Sequence, residues 1–324
     1  MTDLAGTQWL QTHWRSSVAK MAWLKKALLG VGAVVGVVVL GGGGFVYAKV
    51  SAFNASLDKV YDVPLPKLER TTDPALLARG EHLAHTIMPC ADSGCHGNDL
   101  GGGRVTAMGP IGNFVAPNIT TGGLGAAYSD AELARLLTHG VKKDGRGARF
   151  MPSHESNWLP DEDITALVSY VRTLPPQSKQ PPGMKIGVMG KVLDQMNMIP
   201  IDVARRVNHE HIEKAPPPSP DASYGKYLSR LCTGCHGEGL SGGPIPGAPP
   251  DMAIPLNLTP DASGLAGFSL DDFKQVLKTG KRKKDGRKLD PMMPVESFGQ
   301  FDDVEMQALF SYLMSRPAKP FGGR

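Results

Sequence analysis

Cys232-Thr233-Gly234-Cys235-His236-Gly237 holds two thiols three positions apart, with a histidine directly after the second. That spacing places both sulfurs to form thioethers with the vinyl groups of a porphyrin and the imidazole to ligate its iron. A stretched version lies upstream, Cys90-Ala91-Asp92-Ser93-Gly94-Cys95-His96-Gly97, with four residues between the thiols. The two stretches use all four cysteines of the chain, so no thiol is left for a disulfide. A zinc centre would need further Cys or His at ligand spacing, and a redox dithiol has no use for the adjacent histidine. The expectation is two covalently attached haem c groups. One sits on Cys90 and Cys95 with His96 as axial ligand, the other on Cys232 and Cys235 with His236.

The surroundings of the two stretches repeat, and the repeat lends weight to the stretched one. Ala78-Arg79-Gly80-Glu81-His82-Leu83 precedes the first and Ser223-Tyr224-Gly225-Lys226-Tyr227-Leu228 the second, each a short helical stretch with a central glycine. Asn118-Ile119-Thr120 is answered by Asn257-Leu258-Thr259. Ser129 with Glu132, and Ser269 with Asp272, start two helices as capping boxes; Gly140 and Gly280 stop them. Lys143-Asp144-Gly145-Arg146 matches Lys284-Asp285-Gly286-Arg287, and Met151-Pro152 matches Met293-Pro294. Each copy closes with an amphipathic helix, Asp161 to Leu174 and Asp302 to Met314. A unit of about a hundred residues is of domain size, not a stacking repeat. The fold class expected is all-α: two tandem haem domains, residues 71–177 and 218–324, each with three main helices and glycine-rich loops around the cofactor. The 39 Gly and 27 Pro of the 324 residues suit such loops.

The matched Met-Pro supplies a sixth iron ligand in each domain. A thioether is soft, and it raises the reduction potential relative to a second histidine. Proline beside it stiffens the loop. Met151 and Met293 are therefore the distal candidates, with His139 and His154 as local rivals of the first and Met292 of the second. Both proximal histidines need an acceptor for the other ring nitrogen. The loops at Pro110 and Pro249, each eight residues before the matched asparagine, are the expected source of that carbonyl.

Residues 27–48 carry no charge, and as a helix they span about 33 Å, enough for a bilayer core. Arg15, Lys20, Lys25 and Lys26 precede this run and only Lys49 follows closely. By the positive-inside rule, residues 1–26 form a cytoplasmic leader, 27–48 an uncleaved single-pass transmembrane anchor in a bacterial inner membrane, and the haem domains lie in the periplasm. Val46-Tyr47-Ala48 offers the rival reading of a signal-peptide cleavage site. Gly32 and Gly36 make a weak G-x-x-x-G pairing pattern. Residues 49–70 read as a tether. Residues 178–217 read as a linker flanked by Pro181-Pro182 and Pro216-Pro217-Pro218, with a helical middle from Val203 to Ile212 and the stiffness of a spacer.

The net charge of +4 is mostly in the leader. Four basic residues against Asp3 leave +3 in residues 1–26 and +1 in the rest, so no nucleic-acid partner is implied. Locally, Lys278, Lys281, Arg282, Lys283, Lys284, Arg287 and Lys288 crowd the loop before Met293, with a milder set, Lys142, Lys143, Arg146 and Arg149, before Met151. Such loops can steer an acidic redox partner.

With the repeat in view, the chain resembles the class I cytochrome c superfamily. More narrowly it is similar to the membrane-anchored multihaem cytochrome c subunits of periplasmic dehydrogenases of alcohols, sugars and sugar acids. The residues that carry this are Cys232-x-x-Cys235-His236-Gly237, Asn118–Thr120 and Asn257–Thr259, and Met-Pro followed by an acid-rich helix. The resemblance implies electron transfer, with no substrate chemistry, from a periplasmic dehydrogenase or quinol donor to an oxidase or cytochrome acceptor. Such subunits usually carry three haem modules and this chain has two, and its first attachment motif is stretched. A dihaem peroxidase is the alternative. That enzyme needs one iron open to peroxide with an acid–base group beside it, whereas both copies here carry the Met-Pro.

Overall fold

Helix starts and stops fall where the local chemistry puts them. In the computed structural model, which describes residues 4–88, 90–91, 95–210, 212, 214–246, 248 and 252–324 (side chains from residue 30 onward, Val34 and Glu155 excepted), the chain begins with helix α1, Leu4–Leu57. Its stretch Gly30–Leu57 is long and apolar enough to cross a membrane. The expected span 27–48 falls in this helix. So do the first residues of the expected tether, which are helical to Leu57. Residues 1–54 form one unit; Ala55–Arg324 forms another, which carries everything below.

Module 1 starts with α2, Pro74–His85, capped by Asp73 and with Pro74 at its first turn. Two short strands follow, β1, Val105–Ala107, and β2, Gly112–Val115. Next come α3, Asp130–His139, the single turn α4, Ser153–Ser156, and α5, Asp161–Thr173. The Ser129–Glu132 capping box forms in both directions, and Gly140 ends α3 in the left-handed conformation at φ 66°. The segment between modules contributes β3, Lys185–Ile186, and α6, Val188–Gln195. Module 2 repeats the plan with α7, Ala222–His236; α8, Leu270–Thr279; α9, Val295–Phe298; and α10, Asp303–Ser315. Its Ser269–Asp272 capping box and left-handed Gly280 are the twins of those in module 1.

In each module the first and last helices cross at a glycine. A side chain at Gly80 would collide with the Ala166 carbonyl, and one at Gly225 with the Ala308 carbonyl. This is the physical reason for a glycine at the centre of both helical stretches: α2 and α5, like α7 and α10, approach backbone to backbone.

Two expectations are corrected. The fold is not purely helical, because β1, β2 and β3 form an antiparallel sheet, with Val105 facing Val115 and Gly112 facing Ile186. Strands of two to four residues are too short to show alternation in a sequence window. The helical middle of the linker is also not at 203–212: only a 3-10 turn, Ala204–Arg206, forms there among the described residues, and the helix lies earlier, at Val188–Gln195. Residues 201–206 are instead held by tertiary bonds. Ile201 and Asp202 donate backbone N–H to the buried Asp194 carboxylate, and the Arg205 guanidinium pairs with the same group at 3.0 Å. The linker is thus packed structure on module 1. Residues of the expected tether join it, since Tyr61 and Val63 form a small buried cluster with Val141 and Ala204.

The two modules share one continuous core. Leu83, Ile87, Trp158 and Leu167 of module 1 are buried together with Tyr224, Tyr227, Leu228 and Leu309 of module 2. Trp158 meets Tyr227 edge-on with ring centroids 3.8 Å apart. At this seam Arg79 binds Asp163 at 3.0 Å, Glu305 at 3.1 Å and the Tyr224 hydroxyl at 3.2 Å, while His82 binds Glu305 at 2.8 Å. Burial alone would raise the Glu305 carboxyl, but the hydrogen bond from His82 and the charges of His82 and Arg79 outweigh it and hold it below the usual carboxylate range.

Candidate functional site

Module 1 encloses a cavity of about 400 Å³, the size of a small-molecule or cofactor site. Cys90, Cys95, His96 and Met151, four residues spread over sixty positions of sequence, all line it. The rest of the wall is largely apolar, with Ile87, Phe114, Leu133 and Leu137 among it. Arg104, Lys142 and Arg149 also reach it. Neither rival ligand does: His139 turns its Nδ1 to that of His209, 3.1 Å away, and His154 is not among the lining residues. Asp92, Ser93 and Gly94, inside the stretched motif, lie outside the described residues.

His96 and His236, the candidate proximal histidines, are oriented alike in both modules. His96 Nδ1 meets the Pro117 carbonyl at 2.8 Å, and His236 Nδ1 meets that of Leu256 at 2.6 Å. This fixes each ring and leaves Nε2 as the nitrogen that could bind a metal. The acceptor is therefore not Pro110, which sits in a 3-10 turn; Pro249 lies outside the described residues. It is the residue just before the matched asparagine. Burial pushes both imidazoles below their ordinary range, which favours the neutral, metal-binding form. Burial likewise pushes the Cys90 and Cys232 thiols up to about 12. Unbonded, they are weak acids held in apolar surroundings.

The asparagines have a role that the sequence pattern marked but did not explain. Buried Asn118 donates its amide to the Gln177 carbonyl at 2.7 Å and accepts the Thr120 N–H, while Thr120 Oγ1 accepts the Gln177 N–H. Asn257 and Thr259 hold Lys319 in the same way. Each Asn-x-Thr clasps the chain leaving the last helix to the loop whose carbonyl orients the proximal histidine.

Module 2 has the same donors in less space. Cys232 and Met293 line a cavity of about 30 Å³, room for a water but not for a macrocycle. His236 is buried, Cys235 is exposed, and neither is among the lining residues. Met292 is 56% exposed and does not line the cavity. Counting from the matched methionines, Phe298 stands where module 1 has Ser156, and its ring takes up part of this space. The donor set of module 1 fits haem c in kind and in volume. That of module 2 fits in kind, and seating a porphyrin there requires its apolar core to open.

The two cavities touch. Leu231 and Phe298 line both, and Pro294 lines the first while its neighbour Met293 lines the second.

The cytochrome c family profile matches residues 78–175 and 222–317, one match per module. The chain belongs to the cytochrome c family, whose chemistry is electron transfer on covalently bound haem c. It is similar to the fructose dehydrogenase cytochrome subunit of Gluconobacter japonicus, 28% identical over 271 residues, or 76% of this chain and 54% of that one. It is also similar to the gluconate 2-dehydrogenase cytochrome c subunit of Pantoea cypripedii, 35% identical over 97 residues (28% of this chain, 22% of the relative). The cytochrome c subunit of the quinone alcohol dehydrogenase of Gluconobacter oxydans (strain 621H) is 33% identical over a stretch of the same length (28% of this chain, 20% of the relative). The aligned part is about half the length of the first relative and about a fifth of the other two.

Proposed function

We propose that the chain is a membrane-anchored dihaem c-type cytochrome that relays electrons on the periplasmic side, from a dehydrogenase or quinol donor to an oxidase or cytochrome acceptor. The observation that carries this reading is that Leu231 and Phe298 line both cavities, which would bring a haem in each module close to the other. When bound, the haem iron supplies the one-electron couple. The chain's own residues do the rest. Cys90 and Cys95, and Cys232 and Cys235, anchor the porphyrin edges. His96 and His236, held by the Pro117 and Leu256 carbonyls, bind iron through Nε2. Met151 and Met293 take the sixth positions and close both irons to small ligands, which separates a relay from a peroxidase. Helix α1 anchors the chain, with Arg15, Lys20, Lys25 and Lys26 on the cytoplasmic side. The relatives' names support a dehydrogenase as donor.

The test uses the full chain purified from membranes. Its mass is expected to exceed that of the polypeptide by two haems, and Met151→Ala and Met293→Ala are each expected to remove about half of the weak thioether-to-iron absorption at the red end of the visible spectrum. A single haem, or no change of that band in either variant, would overturn the reading.

A further inference from the structure

The segment joining the modules does more than connect them. Phe150, the residue before Met151, is held at φ 58°, a left-handed conformation costly for a bulky side chain. Three contacts hold it there. Its N–H donates to the Ile201 carbonyl at 2.8 Å. Its ring stacks on Phe114 of β2 with centroids 4.1 Å apart. On its other side Arg149 pairs with the fully buried Asp202 at 3.2 Å and also donates to the Gly147 carbonyl. Asp202 and Ile201 are in turn fixed by their N–H bonds to Asp194, itself fully buried and paired with Arg205. Within residues 188–207, Ile201 and Asp202 thus bind the Met151 loop at Phe150 and Arg149, and Asp194 of α6 holds both in place.

Module 2 has no counterpart among the described residues. The position matching Phe150 is Met292, exposed and not left-handed. The chain after α10 runs elsewhere, where Arg324 donates to the Gly243 and Cys235 carbonyls.

We propose that residues 188–207 are a positioning strap that holds the Met151 thioether against competing ligands, so that Met293 is the exchangeable sixth ligand of the pair. This rests on the reading of Met151 and Met293 as iron ligands. Arg149 and Asp202 touch no reacting atom; they act through the loop.

The experiment is an imidazole titration of the oxidised full-length holoprotein, followed at the thioether-to-iron band. The Met151→Ala and Met293→Ala proteins assign its two steps. The Met293 step is expected at an imidazole concentration about tenfold or more below the Met151 step. Asp202→Asn is expected to lower the Met151 step about tenfold and leave the Met293 step in place, with Asp202→Glu restoring part of the difference. Phe150→Gly is the second variant: it keeps the left-handed backbone, loses the stack on Phe114, and is expected to lower the same step. Displacement of Met151 first in the native protein, or unchanged steps in both Asp202→Asn and Phe150→Gly, would overturn the strap. Loss of no band in Met151→Ala would instead overturn the ligand reading beneath it.

Discussion

At the scale of single residues, the Asn-x-Thr clasp shows how much one buried amide organises. Asn118 is 2% exposed and serves two backbone segments. Asn118→Ala strands the Gln177 carbonyl and the Thr120 N–H without replacing either bond, and a buried polar group left unpaired costs about 1–3 kcal/mol. Denaturant unfolding of this variant should show a loss of about 2 kcal/mol with an unchanged slope. Asn257→Ala should behave alike through the Lys319 carbonyl. That Cys90, Cys95, His96 and Met151 share one cavity wall, and Cys232 and Met293 another, was foreshadowed by their matched spacing, because ligand chemistry constrains residue type and spacing. The carbonyl facing each histidine was not. Every residue offers a carbonyl, so identity carries no signal and only the path of the backbone selects Pro117 and Leu256.

Among the elements, those whose ends are set by local bonds were readable. Both capping boxes and both left-handed glycines stand where the sequence put them, because each motif satisfies orphan N–H or carbonyl groups within a few residues. The linker was misread because its order comes from Asp194, Asp202 and Arg205 meeting across a turn. The same segment carries a pH response. His209 lies against His139 with Nδ1 atoms 3.1 Å apart. Burial first, and then the charges of His209, Lys214 and Arg135, push His139 from the ordinary 6.5 down to about 4. Since the folded value lies below the unfolded one, the unfolded chain takes up a proton between these limits that the folded chain refuses. Stability is whole above pH 6.5 and declines as pH falls towards 4. In denaturant titrations across this window the His139→Gln protein should lose less stability than the native one.

For the molecule as a whole, the seam between modules decides whether two haem domains behave as one body. Arg79→Met removes the guanidinium from Glu305, 1% exposed, and leaves His82 as its remaining side-chain partner among the described residues. Breaking a buried pair from one side costs about 3 kcal/mol. The variant should melt with its two modules uncoupled, seen in calorimetry as a broadened or split transition where the native protein shows one. The basic loop before Met293 is the other feature at this scale. Its Lys283 pairs with Asp272, and Arg282 and Arg287 both pair with Asp285, while Lys281, Lys284 and Lys288 are exposed. Module 1 has fewer basic residues in its loop, and of these Lys142 and Arg146 pair with Asp144 and Arg149 with Asp202. An acidic redox partner should therefore meet module 2, and its electron-transfer rate should fall steeply from low to high ionic strength. A flat rate would leave these lysines as ordinary solvated side chains.

The sequence was sufficient for the twofold repeat and for the capped ends of α3 and α8, because each of these is a matter of residue type at short range. The meeting of the two cavities at Leu231 and Phe298, the buried Arg79–Glu305 seam and the strap across Met151 came only from the tertiary structure. They join residues tens to hundreds of positions apart, through contacts that ordinary leucines, phenylalanines and charged side chains make only once packing has brought them together.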